Sequence, residues 1–179
     1  MEYVTPKAIY AEDIKNIRKS LSMSQREFSD FVGVSKPTVE RWEAADKAIN
    51  GPIAMLVDML KRETGYEKKI RVPQKELPLR LWYYHDRMVC TIIDVDEVRQ
   101  VVEVHNYTNN LLFRAFGPTE DPTFEQYKDF LESRCFPRER DKQKIILKSL
   151  DIPFYDPFLI IEKTEGRMEE DHFWIRIER

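Results

Sequence analysis

The chain has 179 residues, of which 34% are charged and 42% are hydrophobic, and its formal net charge is −3. This is enough for one ordinary domain or two small ones, each with a packed core. The sequence contains neither the uninterrupted apolar run of roughly 18 residues that a membrane-spanning helix needs nor the features of a signal peptide at its start. Its two cysteines, Cys90 and Cys135, cannot build a disulfide framework or complete a four-ligand zinc site. We therefore expect a cytoplasmic protein with reduced thiols, no metal, no cofactor and no membrane partner.

The charge is unevenly distributed along the sequence. Residues 1–70 are close to neutral, and residues 71–179 carry the excess of acidic side chains. Neither part is a polybasic module that binds nucleic acid through charge alone. Nucleic-acid binding by this chain would therefore require a local basic face.

The first 65 residues predict four short helices. The first follows an acidic pair at residues 12–13, which suits a helix N-terminus, and the second begins at Ser24 with the S-x-x-E pattern of a capping box. Gly33 ends the second helix, because glycine tolerates the left-handed conformation that a tight turn needs. Ser35 can cap the third helix, and the fourth begins near residues 51–52. In the first helix, Ile14, Ile17, Arg18 and Leu21 follow helical spacing. The residues expected in the core of this part are Phe28, Phe31, Val39, Trp42 and Leu56.

The rest of the chain changes pattern. Residues 66–78 are mostly polar and contain two prolines, which favours a linker. Strands are predicted at residues 79–84, 88–93, 98–104 and 173–177, with helices after residue 122, around residues 145–150 and at residues 158–163. The predicted fold is α+β: an all-α domain at residues 1–65, followed by a small α+β domain with an antiparallel sheet at residues 79–179.

The second and third predicted helices, joined by a turn at Gly33, have the form of a helix-turn-helix. In this motif two short helices cross at a steep angle, and the second projects the polar side chains of its N-terminal part into the major groove of DNA. The polar or exposed positions there are Lys36, Pro37, Thr38, Glu40 and Arg41.

Three stretches carry a resemblance to a known family. Residues 21–28 (LSMSQREF), residues 32–35 (VGVS) and residues 38–43 (TVERWE) resemble the lambda-repressor-like (Xre/Cro) helix-turn-helix family. The resemblance covers residues 12–62, and residues 50–53 (NGPI) resemble the branch found in many antitoxins of type II toxin–antitoxin systems. Ala45 stands where the family usually has glycine, and Ile49 where it usually has proline.

The resemblance implies roles for individual side chains. Gln25 would contact the DNA backbone and support the recognition helix, which begins after Ser35. Lys36, Pro37 and Arg41 would face the bases, and Thr38 a phosphate. Arg41 can pair with the O6 and N7 atoms of guanine, Lys36 can reach guanine or a phosphate, and Pro37 can only pack, for instance on a thymine methyl group. The alternative is a helical unit whose polar residues are merely solvated.

The second domain offers weaker candidates for a catalytic site. The histidines of this domain are His85, His105 and His172. His85 lies at a predicted hairpin turn and His105 at a predicted strand end, where solvated histidines are common. Cys90 lies within a strand and is expected to be a buried small apolar residue, with a Cys–His pair as the alternative. Asp94, together with Asp96, is expected to end a strand and make a turn. We therefore expect no enzymatic activity.

An arginine cluster is the strongest candidate for partner binding in this domain. Arg134, Arg138 and Arg140 lie within seven residues, and Arg167 follows later in the chain. Together they could hold a phosphate or an acidic partner surface. The alternative is a solvated loop in which the arginines pair with Glu132, Glu139 or Asp141.

These patterns predict a sequence-specific transcriptional repressor that binds a palindromic double-stranded DNA operator as a homodimer. The resemblance further implies an antitoxin that regulates its own operon and binds a cognate toxin. The alternatives are a phage or mobile-element repressor without a toxin, and an enzyme that uses the motif for targeting. We expect residues 1–65 to have little apolar surface left for self-association, and the aromatic residues of the second domain to supply the dimer interface.

Overall fold

The computed structural model describes residues 6–63, 65–139 and 141–179. The chain divides into two compact units, Met1–Arg71 and Val72–Arg179. Helices form the first unit, and the second combines helices with a four-stranded antiparallel sheet, which confirms the predicted α+β class. Within the described residues, no helix is both long and apolar enough to cross a membrane.

The helices of the first unit agree with the predicted order. They are α1 (Ala11–Ser20), α2 (Gln25–Val32), α3 (Lys36–Glu43) and α4 (Pro52–Arg62), followed by a short α5 (Tyr66–Ile70). Their core is built around Ile14, Phe28, Val39 and Val57, whose relative exposure is 0%. Phe31, Trp42 and Leu56 were expected in the core but are only partly buried against it.

A pair of backbone hydrogen bonds ties the segment before α1 to the loop before α4. The Ile9 N–H donates to the Ile49 carbonyl over 3.0 Å, and the Ile49 N–H donates to the Ile9 carbonyl over 2.7 Å. Because proline has no N–H, the second bond could not form if position 49 held the residue usual in the resembling family. The departure at Ile49 therefore has a structural role in this chain.

The sheet of the second unit has the strand order β3-β2-β1-β4. Its strands are β1 (Leu79–His85), β2 (Met88–Asp96), β3 (Val101–Asn106) and β4 (Phe173–Glu178). In register, Leu81 of β1 lies opposite Ile93 of β2 and Ile177 of β4. The third strand starts later than predicted, because the Asp96 carboxylate accepts hydrogen bonds from the N–H groups of Val98 and Arg99 and fixes a turn there.

Three helices complete the second unit: α6 (Phe124–Ser133), α7 (Gln143–Ser149) and α8 (Pro157–Thr164). Side chains alternate between the two faces of a strand, and one face of the sheet packs against these helices in a common core. Leu81, Ile93 and Val95 of the sheet contribute to this core, together with Tyr127 of α6 and Ile161 of α8.

The opposite face of the sheet carries alternating arginine and aromatic side chains. The Arg176 guanidinium lies 4.5 Å from the ring centroid of Trp82, and Tyr84 stacks on Trp174 with centroids 4.2 Å apart. Arg80, on the same face, forms a buried ion pair with Asp94 at 2.6 Å. We call Arg80, Trp82, Tyr84, Arg167, Trp174 and Arg176 the arginine–aromatic ladder.

The segment predicted as a linker is partly ordered against the second unit. Its first residues form α5, and the division between the units falls after Arg71. The Pro73 carbonyl accepts a hydrogen bond from Arg80 over 3.0 Å, the Lys75 amine donates to the Glu178 carbonyl over 3.2 Å, and Leu77 is buried. Residues 73–77 thus belong structurally to the second unit.

Candidate DNA-binding site

Local sequence signals form the turn between α2 and α3. The Ser24 hydroxyl accepts from the Glu27 N–H over 3.2 Å, and the Glu27 carboxylate accepts from the Ser24 N–H over 2.7 Å, so the predicted capping box is present. Gly33 ends α2 with φ of +71°, in the left-handed region that other residues rarely adopt. The chain then reaches α3 within three residues.

Ser35 occupies the predicted position before α3, but its side chain does not cap the helix. Its hydroxyl shares a hydrogen bond of 2.9 Å with the Thr38 hydroxyl and makes no capping bond to a backbone N–H. Pro37 lies in the first turn, where its missing N–H costs no helical hydrogen bond. Thr38 is half-buried, whereas Ser35 and Pro37 are exposed.

One face of α3 is open to solvent and carries the three residues predicted to face the bases. Lys36, Pro37, Glu40 and Arg41 are all exposed, whereas Val39 is fully buried. The Lys36 amine pairs with the Glu40 carboxylate at 2.9 Å. Among the described residues, Arg41 has no hydrogen bond or ion pair, so its guanidinium is available to a ligand.

A buried carboxylate fixes α3 relative to the helices before it. Glu43, at the end of α3, accepts hydrogen bonds from the Arg18 Nε over 2.6 Å and from the Gln25 Nε2 over 2.8 Å. Arg18 also donates to the Met23 carbonyl over 2.9 Å. These contacts join α1, α2 and α3, and the Gln25 side chain links α2 to the end of α3.

The electrostatics of this network favour the charged forms. Burial alone would raise the pKa of Glu43, but hydrogen bonds from Arg18 and Gln25 outweigh it and hold the pKa of Glu43 below its ordinary value. The hydrogen bond to Glu43 likewise raises the pKa of Arg18. An ion pair therefore lies beneath the open face of α3 at neutral pH.

The sequence alone does not identify Arg18 and Glu43 as partners. Arg18 followed the helical spacing, and Glu43 belonged to the motif, but the two lie 25 positions apart in sequence. Because the sequence shows no pairing at that separation, only the helix packing identifies them.

The arginine cluster of the second unit is divided by the structure. Arg134 is buried, and its guanidinium donates to the Asp171 carboxylate over 2.6 Å and to the Gly166 carbonyl over 2.8 Å. This corrects its predicted place on a partner-binding surface, because these bonds occupy it inside the unit. The contact with Arg134 also lowers the pKa of Asp171. Arg140 lies outside the described residues.

The other two arginines of the cluster are exposed but paired. Arg138 forms an ion pair with Glu132 at 2.5 Å, which is one of the pairings given as the alternative to a partner site. Arg167 pairs with Glu165 at 2.7 Å and lies 4.9 Å from the ring centroid of Trp174. The structure therefore holds these two side chains in internal contacts.

The cysteines do not have the surroundings of a nucleophile. Burial raises the pKa of the Cys135 thiol to about 12 and also raises the pKa of Cys90. Cys90 is the extra residue of a β-bulge, since Tyr83 lies opposite Thr91 while Tyr84 lies opposite Val89. Both thiols are protonated at neutral pH, as expected for small buried residues. Within the described residues, no group of three or more His, Cys, Asp or Glu side chains could hold a metal ion.

Comparison with known proteins agrees with the geometry of the first unit. A helix-turn-helix family matches residues 14–57, from the buried Ile14 of α1 to the buried Val57 of α4. No curated protein and no solved structure matches the chain. Residues 14–57 are an Xre/lambda-repressor-like helix-turn-helix domain, a domain of DNA-binding transcription regulators.

Proposed function

We propose that the protein is a transcriptional repressor that reads a palindromic operator with α3. The observation that carries this proposal is the open face of α3, with Lys36 and Arg41, fixed from behind by the partly buried Arg18–Glu43 pair. A rigid helix with exposed cationic side chains can enter the major groove and reach base edges. The predicted roles of Gln25, Ser35, Pro37 and Thr38 at the sugar–phosphate backbone and the bases are part of this proposal.

Binding of the operator by two copies of the chain is part of the same proposal, because one short helix reads only a few base pairs.

The first unit has more exposed apolar surface for an interface between copies than its sequence suggested. Val34, Trp42 and Leu56 line a mostly apolar groove of about 340 Å³, and Met55 and Met59 of α4 are exposed. Some aromatic side chains that were expected to form a dimer interface in the second unit make contacts within that unit instead. Tyr83 is buried, and Trp82 packs against Arg176 in the arginine–aromatic ladder. Sedimentation of the full chain should give a dimer, and a monomer at the concentrations that bind DNA would contradict two-fold binding.

A more specific role is that of an antitoxin, with the second unit binding a cognate toxin. Its support is the resemblance of residues 50–53, and exposed Arg138 and Arg167 are the candidate contacts for an acidic toxin surface. Co-expression with the neighbouring reading frame tests it. If the product of the neighbouring reading frame stops growth and co-expression of this chain restores it, the antitoxin role is supported. If that product is harmless, the alternative of a phage or mobile-element repressor is supported. Turnover by the second unit would instead point to an enzyme targeted by the motif.

The decisive experiment for DNA binding is selection by the full chain from duplexes with a randomised centre. A repressor of this kind should enrich one palindromic sequence and bind it far more tightly than unselected duplex. The charge-matched variants Arg41→Ala and Lys163→Ala, each lacking one cation, should differ, and only the first should weaken the enrichment. Failure of the parent chain to enrich any sequence would overturn the proposed function.

A further inference from the structure

Glu40 occupies a position on α3 where an acidic side chain needs explanation. Its carboxylate is exposed in the middle of the face that also presents Lys36 and Arg41, and its relative side-chain exposure is 45%. Among the described residues, its carboxylate makes one contact, the ion pair with Lys36. An exposed i, i+4 pair of this kind contributes little to helix stability, so folding does not account for an acid at this place.

A carboxylate on this face is selective in what it can bind. When ionised it only accepts hydrogen bonds, and it is repelled by phosphates and by the acceptor atoms of base edges. In the major groove, cytosine presents its N4 amino group as a hydrogen-bond donor, whereas guanine and thymine present only acceptors. Adenine presents a donor, its N6 amino group, but an acceptor, N7, lies beside it. Cytosine is therefore the base whose edge suits Glu40 best.

We propose that Glu40 determines operator specificity by accepting a hydrogen bond from the N4 amino group of a cytosine. This inference rests on the proposed function. Arg41, the next residue, has the donors that suit guanine, so the pair would favour a half-site that contains both a cytosine and a guanine contact. On binding the operator, Lys36 exchanges its bond to Glu40 for a phosphate, and the Glu40 carboxylate then turns to the base. On unselected duplex, which offers no cytosine in register, the Lys36–Glu40 ion pair is kept.

The test uses the full chain, its selected operator and a panel of duplexes with every single base-pair substitution. The parent should lose about ten-fold in affinity at one position when cytosine is replaced, as expected for a good base contact. Glu40→Gln should change the preferred base at that position from cytosine to adenine, because glutamine can donate to N7 and accept from N6. Glu12→Gln, which removes an exposed acid from α1, should leave the profile unchanged.

Salt dependence provides a second readout. Glu40→Gln releases Lys36 from its ion pair in the free protein, and the salt slope of non-specific binding should steepen by up to about 0.9 for one added phosphate contact. Lys36→Ala should remove that increase. Circular dichroism of each variant checks that α3 is intact.

The outcomes separate this inference from the proposed function. If the parent enriches no operator, both the proposed function and the inference about Glu40 are wrong. If the parent has an operator but Glu40→Gln gains affinity equally on every duplex, with its base profile unchanged, Glu40 only repels phosphates. That result would overturn the inference and leave the repressor intact.

Discussion

At the scale of single residues, Glu43 shows how an acid can be both buried and charged. Its carboxylate receives hydrogen bonds from two helices, and its side chain is only 6% exposed. A lost hydrogen bond to such a buried charge costs about 1.5–3 kcal/mol. The residue therefore links the stability of the first unit to pH.

We expect the free energy of unfolding of the first unit to fall in acid because of this group. Since the folded-state pKa of Glu43 is lowered from its ordinary value of 4.5, its contribution is present above pH 4.5 and is lost as the pH falls through the folded pKa. Urea unfolding across this range, followed by Trp42 fluorescence in a chain that lacks Trp82 and Trp174, measures it. Glu43→Gln should flatten the pH dependence, whereas Glu12→Gln should leave it in place. An equally steep dependence in Glu43→Gln would assign it to other acids.

Arg41 should carry sequence discrimination rather than general affinity. Its guanidinium is exposed and has no partner within the described part of the chain, so it can form a bidentate contact with guanine. Arg41→Ala should therefore cost about 1–3 kcal/mol on the operator and little on unselected duplex. Fluorescence anisotropy with both duplexes measures the two losses. Equal losses would make Arg41 a phosphate contact, and no loss would remove it from the site.

At the scale of elements, the bridge between Ile9 and Ile49 gives the loop before α4 its path. Ile49→Pro removes the N–H that donates to the Ile9 carbonyl, and leaving that acceptor without its partner should cost about 1–3 kcal/mol. Ile49→Val keeps the N–H and should cost less, mainly through the lost methyl group. Thermal unfolding of both variants compares them. If Ile49→Pro is no less stable than Ile49→Val, the bridge does not support the unit.

The elements that the sequence predicted well depend on local signals. The capping box at Ser24 and Glu27, the glycine at position 33 and the strand-forming residues of β1 each act within a few residues, so the sequence is enough to locate them. Long-range contacts are different. The pairing of Arg18 with Glu43, the burial of Arg134 and the partial exposure of Trp42 depend on how elements pack, which one sequence does not show.

At the scale of the whole molecule, the division between the units determines where a protease can cut. Residues 73–77 are held against the second unit, whereas the boundary between the units follows Arg71. Trypsin should therefore cleave after Lys69 or Arg71 before it cleaves after Lys75. Mass spectrometry of an early time point identifies the site. Earlier cleavage after Lys75 would show that this segment detaches readily from the sheet.

The arginine–aromatic ladder has a consequence for spectroscopy. Tyr84 and Trp174 stack with an angle of 9° between their ring planes, so their electronic transitions are close enough to couple. Such coupling produces an ultraviolet circular dichroism signal that belongs to the ring pair and disappears when β1 and β4 separate. Because both residues lie in the second unit, this signal reports the unfolding of that unit alone in the intact protein.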